Sequence, residues 1–274
     1  MKLLDFLSRS DDANGELSAV SRRDALNKIG QAGAALAAAA VPFGLASKSA
    51  PVRAQSMPSA VDILNYALTL EYLEASYYRQ GLAATTSGGS NLIQGDARTI
   101  YGKIADHEDA HVELLAGVID DLGGTPVEFS DSDFDFTAGG SFDPFNDYAT
   151  YLLLSQAFED TGVRAYKGQA GFLVGNDLLT PALQIHSVEA RHAAEVRRLR
   201  AEAGASGLKP WITGNQTGGA PDAVYAGEEN LSQAGVDQTT LGNYTVEQAT
   251  EAYDEPLTMD DVAGANGIAA PFFA

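Results

Sequence analysis

Cysteine is absent from all 274 residues. Disulfides, thiolate metal sites, iron–sulfur clusters and a lipid-modified cysteine are therefore excluded. A metal site in this chain has to be built from nitrogen and oxygen, and any electron donor has to be a separate molecule. Positive charge is scarce as well. Seventeen Lys and Arg stand against 37 Asp and Glu, a formal net charge of −20. That balance excludes nucleic-acid binding through a basic face and docking on an anionic membrane; it keeps the chain soluble and attracts cations. Histidine occurs only four times, so each position is informative. Apolar residues are plentiful at 45%, enough to bury a core and too many for a disordered protein.

The N-terminal stretch reads as an address. Residues 21–26 are SRRDAL, and 29–46 are the Ala/Gly-rich run IGQAGAALAAAAVPFGLA. The pair Arg22-Arg23 ahead of a weakly apolar run resembles a twin-arginine export signal. Two positions depart from that pattern: Ala25 stands where Phe is usual, and Asn27 where Lys is common. The 18-residue run is near the lower limit for a membrane span, and its Gly, Gln and Pro make it a poor one. Small residues at Val52 and Ala54 offer cleavage after Ala54; the alternative is an uncleaved anchor helix. Residues 1–54 hold seven basic and five acidic residues, so cleavage leaves 10 and 32, a net charge of −22. The expected location is periplasmic or extracellular, with no stable membrane anchor after cleavage. Such signals serve proteins that fold before export, often with a cofactor already in place.

Beyond residue 54, four segments have helical period. The first runs from about Ser59 to Gln80, with Val61, Leu64, Leu68, Glu71, Ala75 and Tyr78 on one face. The second runs from about Asp96 to Asp121, with Ile104, Glu108, His111, Leu115 and Val118 aligned, and stops at Gly123-Gly124. Asp143-Pro144 looks like a cap and first turn for the third, which continues to about Gly171 and aligns Tyr148, Leu152, Ser155, Glu159, Gly162 and Tyr166. The fourth starts near Thr180-Pro181 and ends before Gly204, with Ile185, Glu189, His192, Val196 and Leu199 on its face. A long connection between the second and third segments lets those helices run parallel, as in a four-helix bundle with one long crossover. The expected divisions are 1–54, a bundle over 55–204, and an extension over 205–274 that wraps it. Short helices are expected in the extension at Thr245 and Thr258, and the terminal PFF is apolar enough to dock.

Each helical face is interrupted by residues that do not belong in a core. Glu71 interrupts the first and Glu159 the third; Glu108/His111 and Glu189/His192 interrupt the second and fourth. Burying four carboxylates and two imidazoles without compensation costs several kcal/mol per charge. A pair of divalent cations removes that objection. Residues three apart on a helix are neighbours, so each Glu-x-x-His can serve one ion or adjacent ions. The design repeats: Glu71/Tyr78 and Glu159/Tyr166 share a seven-residue spacing, and Glu-x-x-His occurs twice. Two helix pairs related by a pseudo-twofold, each supplying half of a metal site, account for the repetition. Glu74 is a rival to Glu71, but it falls off the Leu64/Leu68/Tyr78 face. His107 and His186 are expected beside the site or at the surface, and Glu113 and Glu195 in solvent. Three Asn-x-Ser/Thr sequons, at Asn215, Asn230 and Asn243, carry no expectation.

The order Glu, Glu-x-x-His, Glu, Glu-x-x-His is similar to the di-iron and di-manganese carboxylate proteins of the ferritin-like superfamily, over roughly residues 58–203. The stretches LEYLEASYY, VEARHAA and AYDEPLTMDDV with the terminal PFF resemble its exported, desiccation-related branch. The resemblance implies an all-α, ferritin-like four-helix bundle holding two Fe or two Mn ions. It implies terminal ligands Glu71 and Glu159, bridging ligands Glu108 and Glu189, and one histidine per metal, His111 and His192. Tyr78 and Tyr166 are expected to lean back toward the site and donate to a carboxylate. The expected activity is redox chemistry toward oxygen or peroxide: ferroxidase, or peroxide disproportionation with manganese. The alternative is a stress or structural protein that keeps its metals for stability. Expected partners are metal ions and oxygen or peroxide, with room for a homodimer.

Overall fold

The computed structural model describes residues 58–274. The export signal with Arg22 and Arg23, the run 29–46 and the cleavage point after Ala54 lie outside the described residues. Among the described residues, four long helices carry the architecture: α1 (Ala60–Ala83), α2 (Gly95–Asp121), α3 (Tyr148–Ala170) and α4 (Leu179–Glu202). None is long and apolar enough to cross a membrane.

Local chemistry sets the ends. Ser59 caps α1 with a reciprocal pair: its hydroxyl accepts the Asp62 N–H, and the Asp62 carboxylate accepts the Ser59 N–H at 2.9 Å. After α2 the chain turns through Gly123 at φ +73°, a left-handed conformation that suits glycine. α3 begins later than Asp143-Pro144 suggests. Residues 144–146 form a turn, and Asp147 caps the helix by accepting the N–H of Ala149 and Thr150. Burial of the Phe145 ring against Tyr77 and Phe136 holds that segment as a turn.

The helix directions follow from who meets whom. Glu71 approaches His111 while Tyr78, further along α1, meets Tyr101, earlier in α2; the two helices are antiparallel. Tyr78 reaches Glu159 and Tyr166 reaches Glu71, so α1 and α3 are antiparallel too. Hence α2 and α3 run parallel, and the long segment 122–147 is the crossover that allows it. Aromatic rings from the crossover and the C-terminus close one side of the bundle. Phe272 stands edge-on to Phe158 with ring centroids 5.0 Å apart, and Phe273 packs on Phe134 at 5.4 Å. The Asp135 N–H donates to the Phe272 carbonyl, fixing the chain end to the crossover.

Residues 203–274 contain two short helices, α5 (Val246–Thr250) and α6 (Met259–Ala263), each with a capping box, and a hairpin of β1 (Ser232–Gln233) and β2 (Val236–Asp237). This extension is bonded to the outer faces of α3 and α4. Arg164 is fully buried, donates to the carbonyls of Val224, Ala226 and Glu255, and pairs with Glu228 at 2.7 Å. Arg197 makes a forked pair with Asp160 and donates to the Trp211 carbonyl. Arg200 holds Gln156 and the Gly218 carbonyl. The helical α3 is thus buried on both sides, by the bundle core on one and by the extension on the other.

Candidate metal centre

Glu71, Glu108, Glu159 and Glu189 each sit near the middle of their helix, so the helices bring them to one level of the bundle. All four are 0% exposed, and His111 and His192 are buried beside them. The ligand-bearing atoms form two overlapping sets. Glu71, Glu108, His111 and Glu189 make one; Glu108, Glu159, Glu189 and His192 make the other. Within each set one atom per residue lies within 4.8 Å of every other. Glu108 and Glu189 belong to both, and Glu71 and Glu159 to one each.

The contacts are those of groups converging on shared points. His111 Nδ1 lies 3.1 Å from an oxygen of each of Glu71, Glu108 and Glu189, and one N–H cannot serve three acceptors. His192 Nδ1 is 2.8 Å from Glu108 Oε1 and 3.6 Å from Glu159 and Glu189, without the alignment of a hydrogen bond. Glu108 Oε1, Glu159 Oε2, both oxygens of Glu189 and His192 Nδ1 are buried polar atoms with no hydrogen-bond partner. Among the described residues, the ion pairs of these four carboxylates are all with the two histidines. Orphaned oxygens facing each other in a dry interior fit divalent metal, which supplies the charge and accepts the lone pairs.

The protonation pattern of the chain alone shows the same strain. Burial, then the facing Glu189, pushes Glu108 well above the usual carboxylate range. Burial raises Glu159 to about 7. At Glu189 burial is outweighed by the facing imidazoliums of His111 and His192, which lower it to about 2. Against burial, the facing carboxylates of Glu108, Glu189 and Glu71 hold the His111 imidazolium up to about 12, and His192 is raised in the same way by Glu159, Glu108 and Glu189.

The groups around the centre orient it. The Tyr78 hydroxyl donates to Glu159 and the Tyr166 hydroxyl to Glu71, each across to the opposing helix. Burial and the adjacent carboxylates raise both phenols, which keeps them donors. His107 stacks on His192, rings 5.2 Å apart, with its Nδ1 2.9 Å from His192 Nε2. When His192 Nε2 carries the proton and donates it to His107, Nδ1 is left with its lone pair toward the centre. No histidine occupies the matching place beside His111, where Val188 is the sequence counterpart, so the two halves differ. The stretch His107-Glu108-Asp109-Ala110-His111 also has the His-Glu-x-x-His spacing of a protease zinc helix. The fold does not assemble that site: His107 turns to His192 and is in neither ligand set. His186 lies outside the centre, and burial lowers its pKa.

Glu74 is the residue that helical spacing undervalued. It lies off the α1 face yet is only 3% exposed. Burial, then the charges of Glu189, Glu159, Glu108 and Glu71, raise its carboxyl well above the ordinary range. The sequence signal was register: Glu74 follows Glu71 by three, as His111 follows Glu108 and His192 follows Glu189.

No curated protein matches the chain at a significant level. A family model described as a ferritin-like domain matches residues 59–202, more than half of the chain and all four long helices. With four antiparallel-paired helices, one long crossover and a mid-bundle carboxylate–histidine cluster that could hold metal, the chain belongs to the ferritin-like domain family.

Proposed function

We propose that the protein is an exported ferritin-like protein that binds two iron or two manganese ions and uses them in redox chemistry with oxygen or peroxide. The observation that carries this reading is the pair of ligand sets sharing Glu108 and Glu189, with buried oxygens unpartnered in the fold. Glu71 and His111 would complete one position and Glu159 and His192 the other. One nitrogen among several carboxylate oxygens suits iron and manganese and does not select sharply between them. Bound as a pair, such ions supply two electrons, which with two protons reduce one peroxide to two waters.

The chain's own residues have definable tasks in that chemistry. Glu108 and Glu189 would fix the separation of the two positions. Tyr78 and Tyr166 hold the outer carboxylates by hydrogen bonds. His107 fixes the His192 ring. Full burial of the four glutamates excludes bulk water. Export rests on Arg22-Arg23 and the apolar run behind them. Stress protection follows from the resemblance to the desiccation-related branch.

Aerobic addition of Fe(II) to metal-free protein tests the reading. Rapid oxidation, read as ferric absorbance and saturating at about two irons per chain, is expected. Glu108→Ala and His192→Ala each remove the fast phase while far-ultraviolet dichroism stays helical. Manganese loading with peroxide decay as readout is the parallel arm. Turnover in neither arm above the Ala variants, with metal still raising the melting temperature, favours the alternative: a bundle that keeps metal only for stability. The complete burial of the cluster is the observation on that side.

A further inference from the structure

The residue three places after each ligand glutamate is a histidine on α2 and α4, but Glu74 on α1 and Gly162 on α3. These two are pseudo-symmetry partners, and they meet. A methyl group placed on Gly162 would lie 3.2 Å from Glu74 Oε1 and 3.8 Å from Glu189 Oε2. Glycine therefore leaves the room that the Glu74 carboxylate fills, on the α1/α3 side of the centre. Glu74 is in neither ligand set and, among the described residues, accepts or donates no hydrogen bond. Beside it is a cavity of about 20 Å³, lined by Leu70, Leu73, Phe158, Thr161 and Gly162. That volume holds about one water. Ile268 and Ala269 of the extension close it from outside, and Ile268 is half-buried.

A buried carboxyl group, without a partner, between an apolar crevice and a cluster of metal-fitting oxygens needs something polar to bind. We propose that the crevice between α1 and α3 is the port through which a small polar ligand reaches the α1/α3 side of the proposed metal centre, and that Glu74 holds that ligand by a hydrogen bond. The ligand class is a neutral or singly charged molecule of two or three heavy atoms, such as peroxide or azide. With standing room for about one water, the crevice bars anything wider than such a molecule, and the extension is the lid. This inference rests on the proposed metal centre and adds to it the side of approach and the positioning residue.

Azide is the probe. Iron-loaded full-length protein is titrated with sodium azide, read by the azide-to-iron absorption band, with the iron-to-chain ratio measured on the same samples. Glu74→Leu should bind azide about tenfold more weakly, the loss of one buried hydrogen bond, at an unchanged ratio of about two irons. Glu74→Gln, which keeps a hydrogen-bonding head, should recover most of the affinity. Ile268→Ala should raise the association rate severalfold and leave the equilibrium affinity alone. Unchanged affinity in Glu74→Leu, or unchanged rates in Ile268→Ala, overturns the port while leaving the centre standing. A fall to one iron in Glu74→Leu makes Glu74 a ligand and overturns its role as a positioning residue. Wild-type protein that takes up no metal overturns both readings at once.

Discussion

At Gly168 on α3 the extension crosses close to the bundle, and Gly168→Ala measures how firmly it is seated. A β-carbon at Gly168 would stand 1.8 Å from the Leu257 carbonyl oxygen and 2.9 Å from its carbon. Ordinary contact is about 3.4 Å or more, so the backbone at 256–258 must retreat by more than 1 Å. The move strains the Leu257 N–H bond to the Arg164 carbonyl, 3.1 Å, and pulls on the Asp254 carbonyl held by Lys167. Two effects oppose each other. Alanine in a helix interior is favoured over glycine by about 1 kcal/mol. Overpacking against an immovable neighbour costs about 1–3 kcal/mol, and more when backbone must shift. The steric term wins here because the obstacle is a main-chain carbonyl rather than a side chain that can rotate away. A net loss of about 1–2 kcal/mol follows, roughly 3–6 °C in melting temperature for a chain of this size. Thermal denaturation reads the total, and limited proteolysis locates it, with faster cleavage expected in 205–274 than in the bundle. Gly168→Ala protein as stable as wild type, or more so, refutes the reasoning, because helix propensity would then outweigh a contact the structure makes too short to keep.

Metal uptake should release protons, about two or more per chain at pH 7, because the facing carboxylates hold both the His111 and His192 imidazoles protonated without metal, and the raised carboxyls of Glu108 and Glu159 add to the release. The sign is fixed: raised folded-state pKa values mean that protons compete with metal below them, so affinity rises with pH through Glu159 at about 7 and onward toward His111 at about 12. Calorimetry of metal binding in buffers of different ionisation enthalpy measures the number, and fewer than one proton per chain contradicts the assignment. Asp160→Ala strands the buried Arg197 guanidinium and removes the Tyr225 hydrogen bond; a loss of about 3–5 kcal/mol in chemical denaturation is expected, against less than 1 kcal/mol for Glu202→Ala on the exposed face. Arg22→Lys with Arg23→Lys should leave unprocessed protein in the cytoplasm by cell fractionation; normal export of the pair means the signal was misread.

Much of the centre was legible because its residues break rules. Six polar groups at core positions of amphipathic helices have few uses, and Glu-x-x-His twice among four histidines narrows them further. The six residues that spacing singles out are the ones the fold draws together, since helical register fixes direction and depth without detailed packing. Glu74 was harder to read because a one-dimensional face cannot say that Gly162, 88 residues away, leaves a hole for its side chain. For His107 the sequence left two places open, beside the site or at the surface, because its partner is on a different helix. The start of α3 went wrong where tertiary burial of Phe145 outweighed a local Asp-Pro signal. In the extension, composition suggested irregular chain, and the capping boxes at Thr245 and Thr258 were readable. The burial of Arg164, Arg197 and Arg200 was not, because a long charged residue on a helix looks solvated until the segment that covers it is known.

The central claim is that Glu71, Glu108, His111, Glu159, Glu189 and His192 hold two ions. Anomalous diffraction from crystals of the iron- or manganese-loaded protein tests it directly. The account predicts two peaks per chain, one bounded by Glu71 and His111 and the other by Glu159 and His192, with Glu108 and Glu189 reaching both. A single peak, or peaks on surface carboxylates with the six side chains placed as they are without metal, contradicts it.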